Sequence, residues 1–178
     1  MTEAAENHRP TPACAEKPDW KREAKRFFEW DPSRSLIATI RSYQRHADSH
    51  APWAWLLRRL CVLRHRFWSA ITAADIPLNS RIGGGLCMPH PNGIVIHPDA
   101  CIGPNCLIFQ QVTIGMASGD GVPTLGSHVD VGAGAKIIGG VVIGDHARIG
   151  ANAVVLADVP AGATAVGVPA RVLPSAQC

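Results

Sequence analysis

The chain has 178 residues, 47% of them hydrophobic and 17% charged, with a formal net charge of +3. That length and apolar content suit one domain with an extension. The positive residues gather between Lys17 and Arg66 instead of lining a surface along the chain, which argues against a nucleic-acid binder. Six cysteines with no CxxC pair and no regular ladder predict free thiols and a reducing, cytoplasmic setting.

Residues 1–16 hold Glu, Pro, Asn and Thr without an apolar run, which predicts a disordered tail and no signal peptide. Residues 17–74 read as an α-helical N-terminal domain. Asp19 to Trp30 (DWKREAKRFFEW) has the pattern of a short amphipathic helix. Asp31-Pro32-Ser33 reads as a helix start. The segment to about Arg45 then puts Leu36, Ile37, Ile40 and Tyr43 on one face. A loop from His46 to Ala51 precedes the strongest helical pattern, Pro52 to about Ala73. Its apolar stripe runs through Trp53, Leu56, Leu57, Leu60, Leu63, Phe67 and Ile71. Arg58, Arg59, Arg64 and Arg66 are too many charges for a membrane-spanning helix. Two uses of the stripe stay open. It packs on the rest of the chain or on sister subunits, or it makes a peripheral membrane contact as a basic amphipathic helix.

At Asp75-Ile76 the period changes. Written in sixes from Leu78, the chain reads LNSRIG, GGLCMP, HPNGIV, IHPDAC, IGPNCL, IFQQVT, and the same frame resumes at Leu125 with LGSHVD, VGAGAK, IIGGVV, IGDHAR, IGANAV, VLADVP. The first position is mostly Ile, Leu or Val, and the fifth is small or aliphatic. Six residues are too few for a helix with a buried face. They suffice for one short strand and a tight turn, with two inward positions at strand spacing. Three units close one triangular coil, and stacked coils bury a continuous aliphatic column. The helical part should cap the first coil, because no flexible linker separates the two. The predicted array spans 75–160, with an ejected loop at 115–124, where the step from Ile114 to the next frame position, Leu125, is eleven residues instead of six. Residues 161–178 read as a C-terminal closing arm.

His90 falls at a first position of this frame, where an aliphatic residue is expected, so it must be satisfied or functional. Asp75, nearly one coil upstream, is placed to orient such an imidazole as a general base. The structural alternative is an ordinary core histidine and a helix-terminal aspartate. His128 and His146 occupy fourth positions eighteen residues apart and read as turn residues; no third histidine at suitable spacing suggests a metal site. Gly83-Gly84-Gly85 has no P-loop lysine after it. Cys106, at an inward fifth position, reads as a small apolar side chain.

The hexapeptide array, the DIP at Asp75, HPNGIVI from His90, QQVTIG from Gln110, the VGAGAKIIGGVVIG run and the late GVPARV resemble the serine acetyltransferase family of hexapeptide acyltransferases, over about residues 74–173. The chain looks like a short form akin to exopolysaccharide-associated O-acetyltransferases. The resemblance implies an all-β left-handed parallel β-helix with an N-terminal α-helical extension. It also implies homotrimers or dimers of trimers around each active site, and acetyl-CoA as donor with no metal. Residue by residue, it makes His90 the catalytic base and Asp75 its acidic partner. Ala133, Ala151 and Arg171 match acetyl-CoA-binding positions. The implied chemistry is direct transfer to an acceptor hydroxyl.

Departures from the family pattern bear on the acceptor. Serine-using members have Asp before the catalytic histidine, where this chain has Pro89. They carry an Arg-His pair before a proline in the ejected loop, where this chain has Gly121 and Val122 before Pro123. The C-terminus lacks an acidic, Ile-ended tail, so no docking to the family's sulfhydrylase partner is expected. The overall resemblance implies L-serine as acceptor, in cysteine biosynthesis. The lost contacts favour a sugar or exopolysaccharide hydroxyl instead, and a non-catalytic trimeric scaffold is a third reading.

Overall fold

The computed structural model describes residues 17–25, 29–47, 49, 53–117, 119 and 121–173. Three parallel sheets enclose a triangular prism. The first face stacks Val95–Ile96, Thr113–Gly115, Lys136–Ile138 and Val154–Val155, with Asp75 bridged to Val95 at its base. The second stacks Arg81–Ile82, Cys101–Ile102, Thr124–Leu125 and Val142–Ile143. The third stacks Leu107–Ile108, Asp130–Val131, Arg148–Ile149 and Thr164–Val166, with Cys87 bridged to Leu107 below and the antiparallel arm Arg171–Leu173 closing the top.

Strands of two or three residues cannot hold a sheet alone; the stack supplies what each lacks. Each coil donates its N–H groups to the carbonyls of the next, as Thr113 does to Ala135 at 3.0 Å and Thr124 to Val141 at 2.9 Å. The inward side chains form one buried column, including Ile94, Ile96, Cys106, Ile108, Ile114, Ile137 and Ile143. One corner packs backbone on backbone. A Cβ on Gly103 would lie 2.4 Å from the Gly126 carbonyl oxygen, so only glycine fits there.

The inward pairs reveal an error in the predicted frame. In the first coil they are Ala74/Ile76, Ser80/Ile82 and Leu86/Met88, whereas from Ile94/Ile96 onward they coincide with the sixes counted from Leu78. The facing positions Asp75, Arg81 and Cys87 follow at intervals of six, but Val95 comes eight residues after Cys87. Two extra residues are therefore accommodated at the corner between the third and first faces, and His90 lies among them. It is exposed, not inward.

The helical part caps the open base of the prism. Helix α1, Pro32–Ala47, starts where Asp31 accepts the Arg34 N–H at 2.9 Å. It buries Leu36, Ile37 and Ile40 against Ile76, Leu86 and Met88. Its polar side chains satisfy the first coil's unpaired carbonyls. Ser33 donates to Met88 at 2.6 Å, Gln44 to Ser80 at 2.9 Å, and Arg41 to both Ile82 and Gly83 at 2.6 Å. Glu23 accepts the Gly85 and Leu86 N–H groups and pairs with Arg41 at 2.9 Å. These bonds close a sheet edge that would otherwise be open.

Glu23 also explains why the predicted helix from Asp19 to Trp30 is not formed among the described residues of that segment. Only Trp20–Arg22 makes a 3-10 turn, capped by Asp19, and none of the described residues from 23 to 31 is helical. Asp19 and Glu23 are committed to Asn105 and the first coil, which holds this segment against the prism. Helix α2, Ala54–Thr72, ends at Ala73 in the left-handed region and packs on α1; it buries Ala54, Cys61 and Thr72, and the Cys61 thiol donates to the Ser42 hydroxyl at 3.4 Å. Its predicted stripe does not pack on the chain's own prism. Leu56, Leu60, Leu63, Phe67 and Ile71 are between 47% and 64% exposed.

Candidate active site

The two irregularities of the array frame the first face. His90 stands at the corner by which the chain enters that face; the loop after Gly115 leaves from the corner at its other side. The corner that carries His90 continues upward as a ladder of turns. Gly93 donates to Ala73, Gln111 to Asn92, Gly134 to Gln110 and Asn152 to Ala133, each at 2.8–2.9 Å. Ala133 and Ala151 therefore lie on the same edge as His90, one above the other. Both are at least partly exposed, and with glycine or asparagine beside them they leave the backbone open to a thin ligand. Val166 covers Gly150, where a Cβ would fall 2.7 Å from its Cγ1, and Arg171 is the register partner of Val166. Arg171 is thus brought to the upper end of that edge, exposed to solvent.

His90 borders an open depression of about 430 Å³ lined also by Trp30, Asp31, Ser33, Thr72 and Asn92. The sequence did not mark these lining residues as part of a site. Asp31 and Ser33 read there as helix-start signals, and only the docking of α1 on Met88 brings them beside His90. Asp75 is exposed at the base of the first face, a single coil beneath Val95. Among the described residues no hydrogen bond or ion pair joins its carboxylate to His90. Lys136, also missed, lies outward on the first face and donates to the Gln111 carbonyl at 2.6 Å and to Thr113 at 3.1 Å.

Gly121 and Val122 belong to the other corner. Gly121 has φ +82 and its Cβ position is 3.4 Å from Gly140 Cα; Val122 is half-buried, and the following Pro123 accepts the Cys101 N–H. Within one chain the loop and His90 lie on separate edges.

The remaining polar features lie elsewhere. His128 and His146 stack at 5.0 Å and 9° on the third corner, with Asn105 against His128 Nε2 at 3.1 Å. No group of three or more His, Cys, Asp or Glu suited to a metal ion occurs among the described residues. Burial pushes the Cys106 thiol up to about 12, and its Sγ donates to the Gly126 carbonyl, so it is a neutral core group and not a nucleophile. Cys14 and Cys178 lie outside the described residues.

Comparison with known proteins decides the family. Residues 123–157 match the model for bacterial transferase hexapeptide (six repeats). A serine acetyltransferase of Synechococcus elongatus is 46% identical over 157 residues, covering 83% of this chain and 64% of the relative. One from Staphylococcus epidermidis is 34% identical over 162 residues, covering 84% of this chain and 75% of the relative. The chain belongs to the serine acetyltransferase family. A solved serine acetyltransferase in complex with CoA superposes with a TM-score of 0.67 at 35% identity, covering 81% of this chain and 58% of that one. The prism is accordingly the left-handed parallel β-helix of this family, carrying an N-terminal helical extension. The chain spans less than two thirds of the length of the Synechococcus relative and of the CoA-bound structure.

Proposed function

We propose that the protein is an acetyl-CoA-dependent serine O-acetyltransferase in which His90 is the general base. The observation that carries the reading is the His90 edge itself. An exposed imidazole stands at the mouth of a depression, and a ladder of small residues, Ala133 and Ala151, leads away from it. That edge fits CoA. Small side chains let a pantetheine arm lie against the backbone, and Arg171 at the upper end is a partner for a phosphate.

The acceptor hydroxyl gives its proton to His90 as its oxygen attacks the thioester carbonyl. The tetrahedral intermediate collapses, the C–S bond breaks, and the CoA sulfur takes the proton back from the imidazolium. Asp75, outward at the base of the adjoining face, would stabilise the imidazolium electrostatically. Direct transfer is favoured over an acyl-cysteine route because no cysteine lines the depression beside His90, and Cys106 is buried and protonated.

A homotrimer is part of the proposal. The loop and His90 occupy opposite edges of one face, so a site that uses both is completed when a neighbouring copy brings its loop edge against the His90 edge. A cytoplasmic location accords with the free state of Cys61, Cys87, Cys101 and Cys106. Serine is supported as acceptor over the sugar alternative by the named relatives, despite Gly121 and Val122.

The test is release of free CoA from acetyl-CoA with serine and with a panel of glycosides. Turnover with serine and none with the glycosides is the expected result. Turnover confined to glycosides would overturn the acceptor, and none with any hydroxyl would leave a scaffold.

A further inference from the structure

The exposed stripe on α2 is an ordered surface with a definite charge pattern. Cys61 and Thr72 face inward, and His65 donates from Nε2 to the Ile76 carbonyl at 2.8 Å, which fixes the helix's rotation. With that rotation set, Leu56, Leu60, Leu63, Phe67 and Ile71 point away from the protein as one band along the helix. At helical spacing, Arg59 and Arg66 flank one side of the band and Arg64 the other. Arg59 lies over the Trp55 ring at 5.2 Å, and among the described residues Arg64 and Arg66 have no ion-pair or hydrogen-bond partner. Trp53 and Trp55, each 57% exposed, stand at the N-terminal end.

We infer that α2 docks the protein onto an anionic lipid bilayer surface, lying in the plane of the headgroups. Charge selects this occupant over a second copy. Neither α1 nor α2 contains an Asp or Glu, so apposing two α2 stripes would line arginines against arginines with no carboxylate on either helix. An anionic headgroup layer supplies the missing charge along the full helix, while the acyl boundary takes up the apolar band. Amphipathic tryptophans suit that boundary. No described helix is long and apolar enough to cross a membrane, so the contact is peripheral. Ile71, the last member of the band, also lines the depression beside His90, so the docked face borders the mouth of that depression.

The experiment is flotation of the full chain with vesicles of phosphatidylcholine alone and with phosphatidylglycerol added, read together with tryptophan emission. Flotation should occur on the anionic vesicles, weaken at high salt, and bring a blue shift. Arg59→Gln with Arg64→Gln and Arg66→Gln should lower partitioning on the order of 100-fold. Leu60→Gln with Phe67→Gln should abolish it. Both sets lie on the exposed face, and unchanged melting temperatures confirm the fold. Failure to float on anionic vesicles would overturn the inference. If in that case the Leu60→Gln, Phe67→Gln variant also has a smaller mass by light scattering than the parent, the face belongs to self-association. Equal binding to neutral vesicles, insensitive to the arginine changes, would overturn it as well.

Discussion

Arg41→Ala measures how far the helical cap sustains the β-helix. The Arg41 side chain donates to the Ile82 and Gly83 carbonyls at 2.6 Å and to the Glu23 carboxylate at 2.9 Å and 3.1 Å. The Arg41 and Glu23 side chains are only 18% and 9% exposed. Truncation strands a nearly buried carboxylate and two carbonyls at the open end of the prism. Losing one member of a buried pair costs roughly 3–5 kcal/mol. Residual solvent at the arginine argues for the low end, about 3 kcal/mol. Glu23 also accepts the Gly85 and Leu86 N–H groups, so a double-mutant cycle with Glu23→Gln isolates the pair from those bonds. The assay is urea unfolding followed by circular dichroism. A loss below about 1 kcal/mol would refute the reasoning, because it would mean that water replaces the guanidinium at the prism's end.

Three further results are expected. Ile114→Ala removes a fully buried side chain from the centre of the column and should destabilise by about 3–4 kcal/mol in the same urea assay. Cys106 gives a pH signature: its thiol is raised from 9.0 to about 12 in the folded state, so the unfolded chain loses this proton first. Its contribution is complete below pH 9 and declines as pH rises from 9 towards 12. Cys106→Ala should flatten that part of the profile. On the proposed donor edge, Ala151→Leu should raise KM for acetyl-CoA by about 10-fold, an overpacking penalty, while KM for the acceptor stays unchanged in steady-state kinetics.

Much of the architecture was legible because a six-residue period has few physical solutions. The inward pairs from Ile94/Ile96 onward, the ejected loop after Ile114, and the faces of α1 and α2 all follow from periodicity. The first coil did not. Counting sixes backward from Ile96 lands on His90, Gly84 and Leu78, and only the imidazole at an aliphatic position marks the two residues accommodated between Cys87 and Val95. The same count misplaced His90 inside the prism, although the anomaly it flagged was real: the residue stands where the coil is interrupted. The cap was legible only as an expectation that the helices must close the base. Which side chains do so depends on backbone carbonyls, which leave no trace in composition. Glu23 illustrates the point, since it lies in a plausible helical pattern yet is spent on the Gly85 and Leu86 N–H groups. The grouping of Ala133, Ala151 and His90 on one edge follows from the corner ladder. Their separation from Gly121 and Val122 shows only once the corners are laid out in space.

The central claim is that the exposed imidazole at the interrupted corner is the base. The most direct measurement is kcat for CoA release by His90→Ala beside the parent, with the melting temperature of each. Removing the base should lower kcat by roughly 10²–10⁴-fold, with no change in melting temperature, because His90 is exposed and outside the buried column. A variant that turns over acetyl-CoA at the parental rate would contradict the account.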